Sequence, residues 1–221
     1  MIAKQLISED VPLLKPSDSV SFAVNRMDES RLTHLPVVDE GDFIGVLSEQ
    51  DCATIYDPEL SVLASNLILS DLYVTESDHI YEVVKSMTTR NMTMLPVVNN
   101  QKRFMGAIPA SRLLPHLANM IAVNNPGGII VLEINENDYN LTEIAHIIES
   151  NDARILSLSL TSFPNSTRLD ITIKVNRIEI GPILQTFFRF NYLVKDSWSK
   201  EDAYHEGLHD RFDALMNYLN I

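Results

Sequence analysis

One segment occurs twice in the first half of the chain, at a period of about 60 residues. Leu35-Pro36-Val37-Val38 in the first copy aligns with Leu95-Pro96-Val97-Val98 in the second. One extra residue in the second copy then brings Phe43-Ile44-Gly45 onto Phe104-Met105-Gly106. Such a repeat constrains the fold more than any single motif does, because both copies must form the same elements.

Each copy predicts the same order of elements. An N-cap signal precedes a helical pattern, at Ser17-Asp18 in the first copy and at Ser77-Asp78 in the second. A short buried strand follows at each Leu-Pro-Val-Val, then a polar turn and a second strand, Phe43 to Leu47 or Phe104 to Ile108. A further helix follows each second strand. One copy has too little core to fold alone, so we expect the two small sheets to pack together.

This order of elements, with an acidic turn and a Gly-hydrophobic-hydrophobic-Ser-x-x-Asp stretch, resembles the CBS domain. Two copies in tandem resemble a CBS pair, or Bateman module, over residues 1–120. The resemblance implies one repeat over residues 1–60 and another over residues 61–123, each a βαββα-type unit. It also implies a regulatory protein that binds an adenosyl ligand between the repeats.

The first copy carries Ser48-Glu49-Gln50-Asp51 where its second strand runs into a helix. A hydroxyl and free N–H groups at a helix start can receive a phosphate, and an aspartate one turn later can accept both ribose hydroxyls. CBS pairs use a Ser/Thr-x-x-Asp pattern in this way, and the resemblance implies that the other copy contacts the adenine. The adenine contacts would be Val74, Thr75, Thr93, Met94, Leu95 and Pro96. The alternative is that Ser48 and Asp51 only cap a helix.

The second copy departs from this pattern. Pro109-Ala110-Ser111-Arg112 places a proline where the hydroxyl would be, which also removes an N–H, and an arginine where the carboxylate would be. The cleft that this stretch would form with Leu14, Thr33 and His34 is therefore degenerate: empty, filled by Arg112, or selective for a different anion. His34 could contact a ligand or be a structural histidine. We expect one ligand per chain.

A turn-rich break, Asn124-Asn125-Pro126-Gly127-Gly128, precedes the second half of the chain. The hydrophobic patterns that follow predict the order βαββαβ, which is ferredoxin-like, so the fold class is α/β (α+β) throughout. The predicted strands are Ile129 to Ile134, Ile155 to Leu160, Leu169 to Val175 and Tyr192 to Lys195, and the predicted helices are Leu141 to Ile148 and Arg177 to Phe190.

Residues 128–197 resemble the ACT domain, at Leu141-Thr142-Glu143-Ile144-Ala145 and at Asn151-Asp152-Ala153-Arg154-Ile155. ACT domains usually bind amino acids at a glycine-containing loop before the first helix, where this chain has Asp138-Tyr139-Asn140 without a glycine. A CBS pair followed by an ACT-like domain resembles the acetoin-utilisation accessory family. We expect this half to form a homodimer or to relay a signal, and an amino-acid sensor is the alternative.

The tail, residues 198–221, contains His205-Glu206-Gly207-Leu208-His209, which matches the zinc-protease pattern H-E-x-x-H. No third histidine or glutamate follows to complete the site, so we expect no metal, and adventitious zinc with Asp210 or Asp213 is the alternative. The tail also predicts an amphipathic helix that docks on its own domain or on a second subunit, with Trp198 as an anchor. Its apolar residues are Leu208, Phe212, Leu215, Met216 and Leu219.

The net charge of −13 at pH 7 opposes binding to a nucleic acid or to an anionic membrane. Lys102 and Arg103, the cations nearest to the site in sequence, lie on a polar turn where we expect them to be solvated. The chain shows no apolar run of membrane-spanning length and no signal-peptide pattern at its start. Cys52 is the only cysteine, which favours an idle thiol in a reducing compartment. We therefore expect a cytoplasmic protein.

No pattern in the sequence indicates catalysis, because there is neither a Gly-rich phosphate loop nor a nucleophile–base pair. The primary hypothesis is a non-enzymatic, homodimeric regulator that senses AMP, ADP, ATP or S-adenosylmethionine and has no resident cofactor. The alternative is a constitutive interaction scaffold with vestigial clefts, which Pro109 and Arg112 favour. A third hypothesis is a metal-dependent hydrolase that acts through the tail motif.

Overall fold

The computed structural model describes residues 1–199. The chain divides into two compact units, residues 1–116 and residues 117–221, the second of which is described as far as Ser199. Both units contain helices and strands, so the mixed α/β fold predicted from the sequence is confirmed. Within the described residues, no helix is long and apolar enough to cross a membrane.

The two repeats form equivalent elements and lie in the first unit, except that the last helix of the second repeat extends to Met120. After a 3-10 helix at Ala3–Leu6, the first repeat has α1 (Val20–Ser30), β1 (His34–Asp39), β2 (Asp42–Ser48) and α2 (Glu49–Cys52). The second repeat has β3 (Val74–Thr75), α3 (Ile80–Arg90), β4 (Met94–Val98), β5 (Phe104–Pro109) and α4 (Ala110–Met120). Both α1 and α3 bury an apolar face, as the 3.6-residue spacing of their apolar positions predicts. The buried residues are Val20, Ala23 and Met27 in α1 and Ile80, Val83 and Met87 in α3.

The N-caps of α1 and α3 are Ser19 and His79, not the predicted Ser17-Asp18 and Ser77-Asp78. Each of these aspartates instead accepts a hydrogen bond from the backbone N–H three residues before it, at 2.7 Å for Asp18 and 2.8 Å for Asp78. An aspartate in this position stabilises a turn. The prediction was therefore wrong by one residue, because each aspartate closes the turn that leads into the helix.

The first repeat contains the antiparallel pair β1–β2, and the second contains a sheet in which β4 pairs with β3 in parallel and with β5 in antiparallel. Leu14 forms a parallel bridge to Val37, so the segment before α1 pairs with β1 much as β3 pairs with β4. Both hairpins shift register at the same place, after Val37 in one and after Val97 in the other. The repeat in the sequence is thus also a repeat in the backbone.

The segment that leads into each repeat packs on the other repeat. The Ser8 N–H donates to the Ala107 carbonyl of β5, and the Ser70 N–H donates to the Val46 carbonyl of β2, both at 2.9 Å. These backbone groups would have no partner if either repeat were removed, and an unpaired buried backbone group is costly. Each repeat therefore takes backbone hydrogen-bond partners from the other.

In residues 117–199, a four-stranded antiparallel sheet packs against two helices, with a core of Ile, Leu, Val and Phe side chains between them. The strand order β7-β8-β6-β9 confirms the ferredoxin-like topology predicted from the sequence. The elements are β6 (Ile129–Asn135), α5 (Leu141–Glu149), β7 (Ile155–Ser162), β8 (Arg168–Val175), α6 (Gly181–Arg189) and β9 (Leu193–Trp198), with a 3-10 turn at Glu136–Asp138.

Two boundaries in this unit differ from the prediction by more than two residues. Helix α6 begins at Gly181 and not near Arg177. Pro182 lies in its first turn, where a backbone N–H would have no partner within the helix, so the proline costs no hydrogen bond. Strand β9 continues past Lys195 to Trp198, because a register shift against β6 keeps its last residues paired.

Candidate ligand-binding cavity

A cavity of about 930 Å³ opens in the first unit and is lined by both repeats. Its walls include the residues before β1 and β4, at 30–34 and 91–93, and those at the starts of α2 and α4, at 48–50 and 109–111. Asp10 and Val11 complete the lining. Because the paired segments occupy equivalent positions in the two repeats, the cavity follows the internal symmetry of the chain.

The two repeats meet at this cavity through a pair of threonines in equivalent positions, Thr33 and Thr93. The Thr33 N–H donates to Thr93 Oγ1 at 3.1 Å, and the two hydroxyl oxygens lie 3.5 Å apart. Both residues are cavity-lining. A ligand in the cavity would therefore touch the point where one repeat contacts the other.

His34 completes this contact between the repeats. Its Nδ1 lies 3.0 Å from Thr33 Oγ1, 3.2 Å from Thr93 Oγ1 and 3.4 Å from the Thr93 backbone nitrogen. A backbone N–H can only donate, so we assign Nδ1 as the acceptor and the ring proton to Nε2. Burial lowers the pKa of His34, against the opposing effect of the Asp51 carboxylate, which favours the neutral ring.

Ser48 and Asp51 are bonded to each other. Ser48 is the N-cap of α2: its Oγ accepts the Asp51 N–H at 3.1 Å and donates to Asp51 Oδ2 at 2.5 Å. Ser48 lines the cavity, whereas Asp51 lies one turn behind it and is not among the lining residues. The geometry is that of a helix cap, with the hydroxyl at the cavity wall.

The other predicted adenine contacts lie elsewhere on the second repeat, apart from Thr93. Val74 and Thr75 pair with Val97 and Val98, at the end of β4 that is remote from Thr93, and Thr75 bonds to Asp78. The side chains within β4 are buried in the core, and none lines the cavity. The predicted adenine contacts within this strand are Met94, Leu95 and Pro96.

The predicted second cleft opens into the same cavity. Thr33, His34 and Pro109 line it together with Ser48 and Thr93, so the structure joins parts of two predicted clefts in one space. Leu14 is fully buried beside β1, and Arg112 is exposed on α4, and neither lines the cavity.

Several lining residues were not identified from the sequence. Arg31 and Asn91 end α1 and α3 in left-handed conformations, at equivalent positions two residues before the threonine pair. Asp10, Glu49 and Ser111 also line the cavity. The repeat alignment contained the signal for Arg31 and Asn91, because a residue that ends a helix immediately before a site strand must lie close to that site.

Lys102 and Arg103, which were expected to be the cations nearest to the site in sequence, have other partners. Lys102 lies 3.7 Å from Asp71 and over the Tyr73 ring, and Arg103 donates to the Glu40 carbonyl at 3.0 Å. Neither side chain lines the cavity.

Cys52 follows Asp51 in α2 and is buried. Burial and the neighbouring carboxylates, Asp51 foremost, raise the pKa of its thiol to about 11, so the thiol is protonated at neutral pH. In residues 1–199, no three His, Cys, Asp or Glu side chains converge on a position that could hold a metal ion. The tail motif at His205 and His209 lies outside the described residues.

The first unit is thus a tandem of two equivalent α/β repeats that share one cavity. The family model of the CBS domain matches residues 3–57 and 64–119, which together make up half of the chain. The chain therefore belongs to the CBS domain family and contains a tandem CBS pair.

Two curated relatives are enzymes. Homoserine O-acetyltransferase of Methanobrevibacter ruminantium is 26% identical over 113 residues, which are 51% of this chain and 23% of that enzyme. Inosine-5′-monophosphate dehydrogenase of Methanocaldococcus jannaschii is 27% identical over 114 residues, which are 51% of this chain and 23% of that enzyme. The chain covers less than a quarter of either enzyme's length, so these names carry no evidence of catalysis here.

Among solved structures, a CBS domain pair/ACT domain protein of Thermotoga maritima is 28% identical and matches with a TM-score of 0.48, over 53% of this chain and 96% of that one. The CBSX2 protein of Arabidopsis thaliana, in complex with AMP, is 21% identical with a TM-score of 0.46, over 52% of this chain and 95% of that one.

Proposed function

We propose that this chain is a non-enzymatic regulatory protein that binds an adenine nucleotide or another adenosyl ligand between its CBS repeats. One observation carries the proposal: Ser48 of the first repeat and Thr93 of the second line one cavity of about 930 Å³. Small-molecule sites are concave spaces of this order of size, with a few polar groups that converge on the ligand. The cavity also contains the hydroxyls of Thr33 and Ser111.

The Ser48–Asp51 pair can serve a ligand as well as a helix cap. Asp51 uses Oδ2 for Ser48, and its Oδ1 makes no hydrogen bond within residues 1–199. If the Ser48 hydroxyl turned towards a bound phosphate or sugar, the Asp51 carboxylate would be released to accept ribose hydroxyls. Charge-assisted hydrogen bonds of this kind are among the strongest that a protein makes.

Regulation would follow from the contact between the repeats. The Thr33–Thr93–His34 hydrogen bonds lie in the wall that a ligand would touch. A ligand shifts a conformational equilibrium only if it binds one arrangement better than another. Competition for these hydroxyls and for the His34 ring would supply that difference in affinity.

Titration calorimetry with AMP, ADP, ATP and S-adenosylmethionine tests the proposal on the full chain. We expect at least one of them to bind, at about one ligand per chain, and Asp51→Ala to weaken that binding about 10- to 100-fold through the lost charged hydrogen bonds. Asp28→Ala is the matched control, because it removes an exposed carboxylate from α1 that does not line the cavity. Absence of binding, or equal binding by Asp51→Ala and wild type, would rule the proposal out.

A constitutive interaction scaffold is the second candidate. The observations that favour it are the mutual bonds of Ser48 and Asp51, which satisfy each other without a ligand, and Pro109 at the start of α4. A bound ligand raises the melting temperature by mass action. A thermal-shift screen in which none of the four ligands moves the melting temperature would favour the scaffold.

For the second half of the chain we propose an ACT-like domain at residues 128–197 that dimerises the chain or relays the signal, as in an acetoin-utilisation accessory protein. The CBS repeats would span residues 1–60 and 61–123, with a docking tail at 198–221 and a cytoplasmic homodimer as the functional form. A cavity of about 330 Å³ in this half is lined by Glu133, Asp138 and Glu143. These carboxylates would repel the carboxylate of an amino acid, which favours a structural role over an amino-acid sensor.

A further inference from the structure

We infer that the cavity between the repeats selects adenosyl ligands whose 5′ substituent is neutral or cationic, and disfavours nucleoside di- and triphosphates. The inference rests on the proposed function and concerns only the charge of the ligand at that site. S-Adenosylmethionine, with its sulfonium group, is the cationic member of the class, and 5′-methylthioadenosine is a neutral one.

The charged groups at the cavity carry the inference. Asp10 and Glu49 line it, and a third carboxylate, Asp51, is bonded to Ser48 in its wall. Among the residues that the structure describes, Arg31 is the only lysine or arginine that lines the cavity. Carboxylates therefore outnumber cations where a phosphate chain would have to lie.

Backbone donors at the cavity offset this excess of negative charge only in part, because several of them are already hydrogen-bonded. The first N–H of each helix is already used, because Glu49 donates to the Thr33 carbonyl and Ala110 to the Thr93 carbonyl, both at 2.9 Å. The Asp51 N–H is taken by Ser48, and Pro109 has no N–H. Three of the N–H groups at these helix starts are thus already used, which leaves fewer backbone donors for a phosphate.

Lys102 and Arg103 are held by other groups, and Arg112 is exposed on α4 and does not line the cavity. Lys102 is paired with Asp71, and Arg103 with Asp42 and the Glu40 carbonyl. One arginine can bind a single phosphate, but a di- or triphosphate would place further negative charge beside Asp10 and Glu49. Like charges at such distances repel even at a partly exposed site, and the repulsion is screened by salt.

The test is titration calorimetry of the full chain with 5′-methylthioadenosine, S-adenosylmethionine, AMP and ATP, in a buffer with EDTA so that no divalent cation neutralises the phosphates. We expect ATP to bind at least about tenfold more weakly than 5′-methylthioadenosine at low ionic strength, and this ratio to shrink as salt is added. Glu49→Gln should shift the ratio of the two affinities about threefold in favour of ATP. Glu59→Gln, which removes an exposed carboxylate that does not line the cavity, should leave the ratio as it is.

The failures of the two proposals are distinguishable. If ATP binds as tightly as 5′-methylthioadenosine, or if Glu49→Gln leaves the ratio of affinities unchanged, the charge inference is overturned while the ligand-binding function stands. If none of the four compounds binds, the proposed function fails and the inference fails with it.

Discussion

At the scale of single residues, His34 has the clearest physical role. It belongs to the first repeat, yet its Nδ1 accepts from the backbone N–H of Thr93 in the second. Only the neutral ring can accept in this way, and burial lowers the pKa of His34 in the folded chain. Protonation of His34 would therefore oppose the contact between the repeats.

The sign of the resulting pH dependence follows from that lowered pKa. In the unfolded chain His34 has its ordinary pKa of 6.5. In the folded chain its pKa is lower, so the ring is protonated only at lower pH. The contribution of His34 to the free energy of unfolding is therefore fully present above pH 6.5 and is lost as the pH falls through the range between the two values.

We expect His34→Gln to flatten the loss of stability below pH 6.5, measured by urea unfolding of both proteins from pH 5 to pH 8. His116→Gln, which removes a histidine from α4, is the control for a general effect of histidine loss. Parallel pH profiles for wild type and His34→Gln would contradict the assignment.

At the scale of elements, the turn before β6 allows only glycine at position 127. Gly127 has a φ of +147°, and a Cβ there would lie 1.8 Å from the Val175 carbonyl oxygen of the neighbouring strand. The obstructing atoms belong to the sheet backbone, which cannot move aside as a flexible side chain could. The positive φ adds strain for any residue other than glycine.

Gly127→Ala should lower the free energy of unfolding by about 3 kcal/mol or more, since strain and overlap add. Gly181→Ala is the matched control, because a Cβ at this helix start meets nothing within 4 Å, and it should be neutral or stabilising by about 0.5–1 kcal/mol. Trp198 is the only tryptophan and lies in β9 of the same unit, so its fluorescence in urea reports both transitions. Equal midpoints for the two variants would refute this account of the turn.

The starts of α2 and α4 differ in the residues that we propose for ligand binding. Pro109 and Arg112 stand where the first repeat has Ser48 and Asp51, while the backbone elements around them are equivalent. Restoring the first repeat's chemistry in the second should therefore create a second ribose-binding element.

We expect the double variant Pro109→Ser, Arg112→Asp to raise the calorimetric stoichiometry from about one ligand per chain to two, or to tighten binding of the first ligand if the shared cavity admits only one. The single variant Arg112→Ala controls for loss of the arginine alone. A double variant that binds with the stoichiometry and affinity of wild type would show that these positions do not define the site.

At the scale of the whole molecule, both repeats and both exchanged segments lie before the turn at residues 124–128. A fragment of residues 1–123 therefore retains the backbone partners that each repeat takes from the other, such as Ser8 with Ala107 and Ser70 with Val46. We expect this fragment to bind the ligand of the full chain within about twofold, or about 0.4 kcal/mol, because no cavity-lining residue is removed.

The same fragment tests the proposed role of the second half. If residues 128–197 dimerise the chain, sedimentation velocity should find the full chain dimeric and the fragment monomeric at the same concentration. A dimeric fragment would place the dimer interface in the CBS pair and contradict the proposal for the second half.

The sequence by itself determined the elements and their order. Helical and strand patterns are local, so the paired copies predicted α1 to β2 and α3 to β5, and the alternation at Ile171 and Ile173 predicted strand β8. The errors were small and had local causes, such as Asp18 in a turn and Pro182 in a first helical turn. Ser48 and Thr93 were predicted as site residues because the repeat and the family pattern mark them, and both line the cavity.

Only the tertiary structure decided what those residues face. The resemblance to CBS pairs implied that Val74 and Thr75 lie near the site, but parallel pairing puts them at the far end of β4. The leading segment instead brings Asp10 to the cavity. Tertiary packing also decides that Lys102 pairs with Asp71 and not with a ligand in the cavity. Spacing along a chain reports which side of an element a residue occupies, whereas strand register and the contact between repeats fix the distances between elements, and no local pattern encodes those distances.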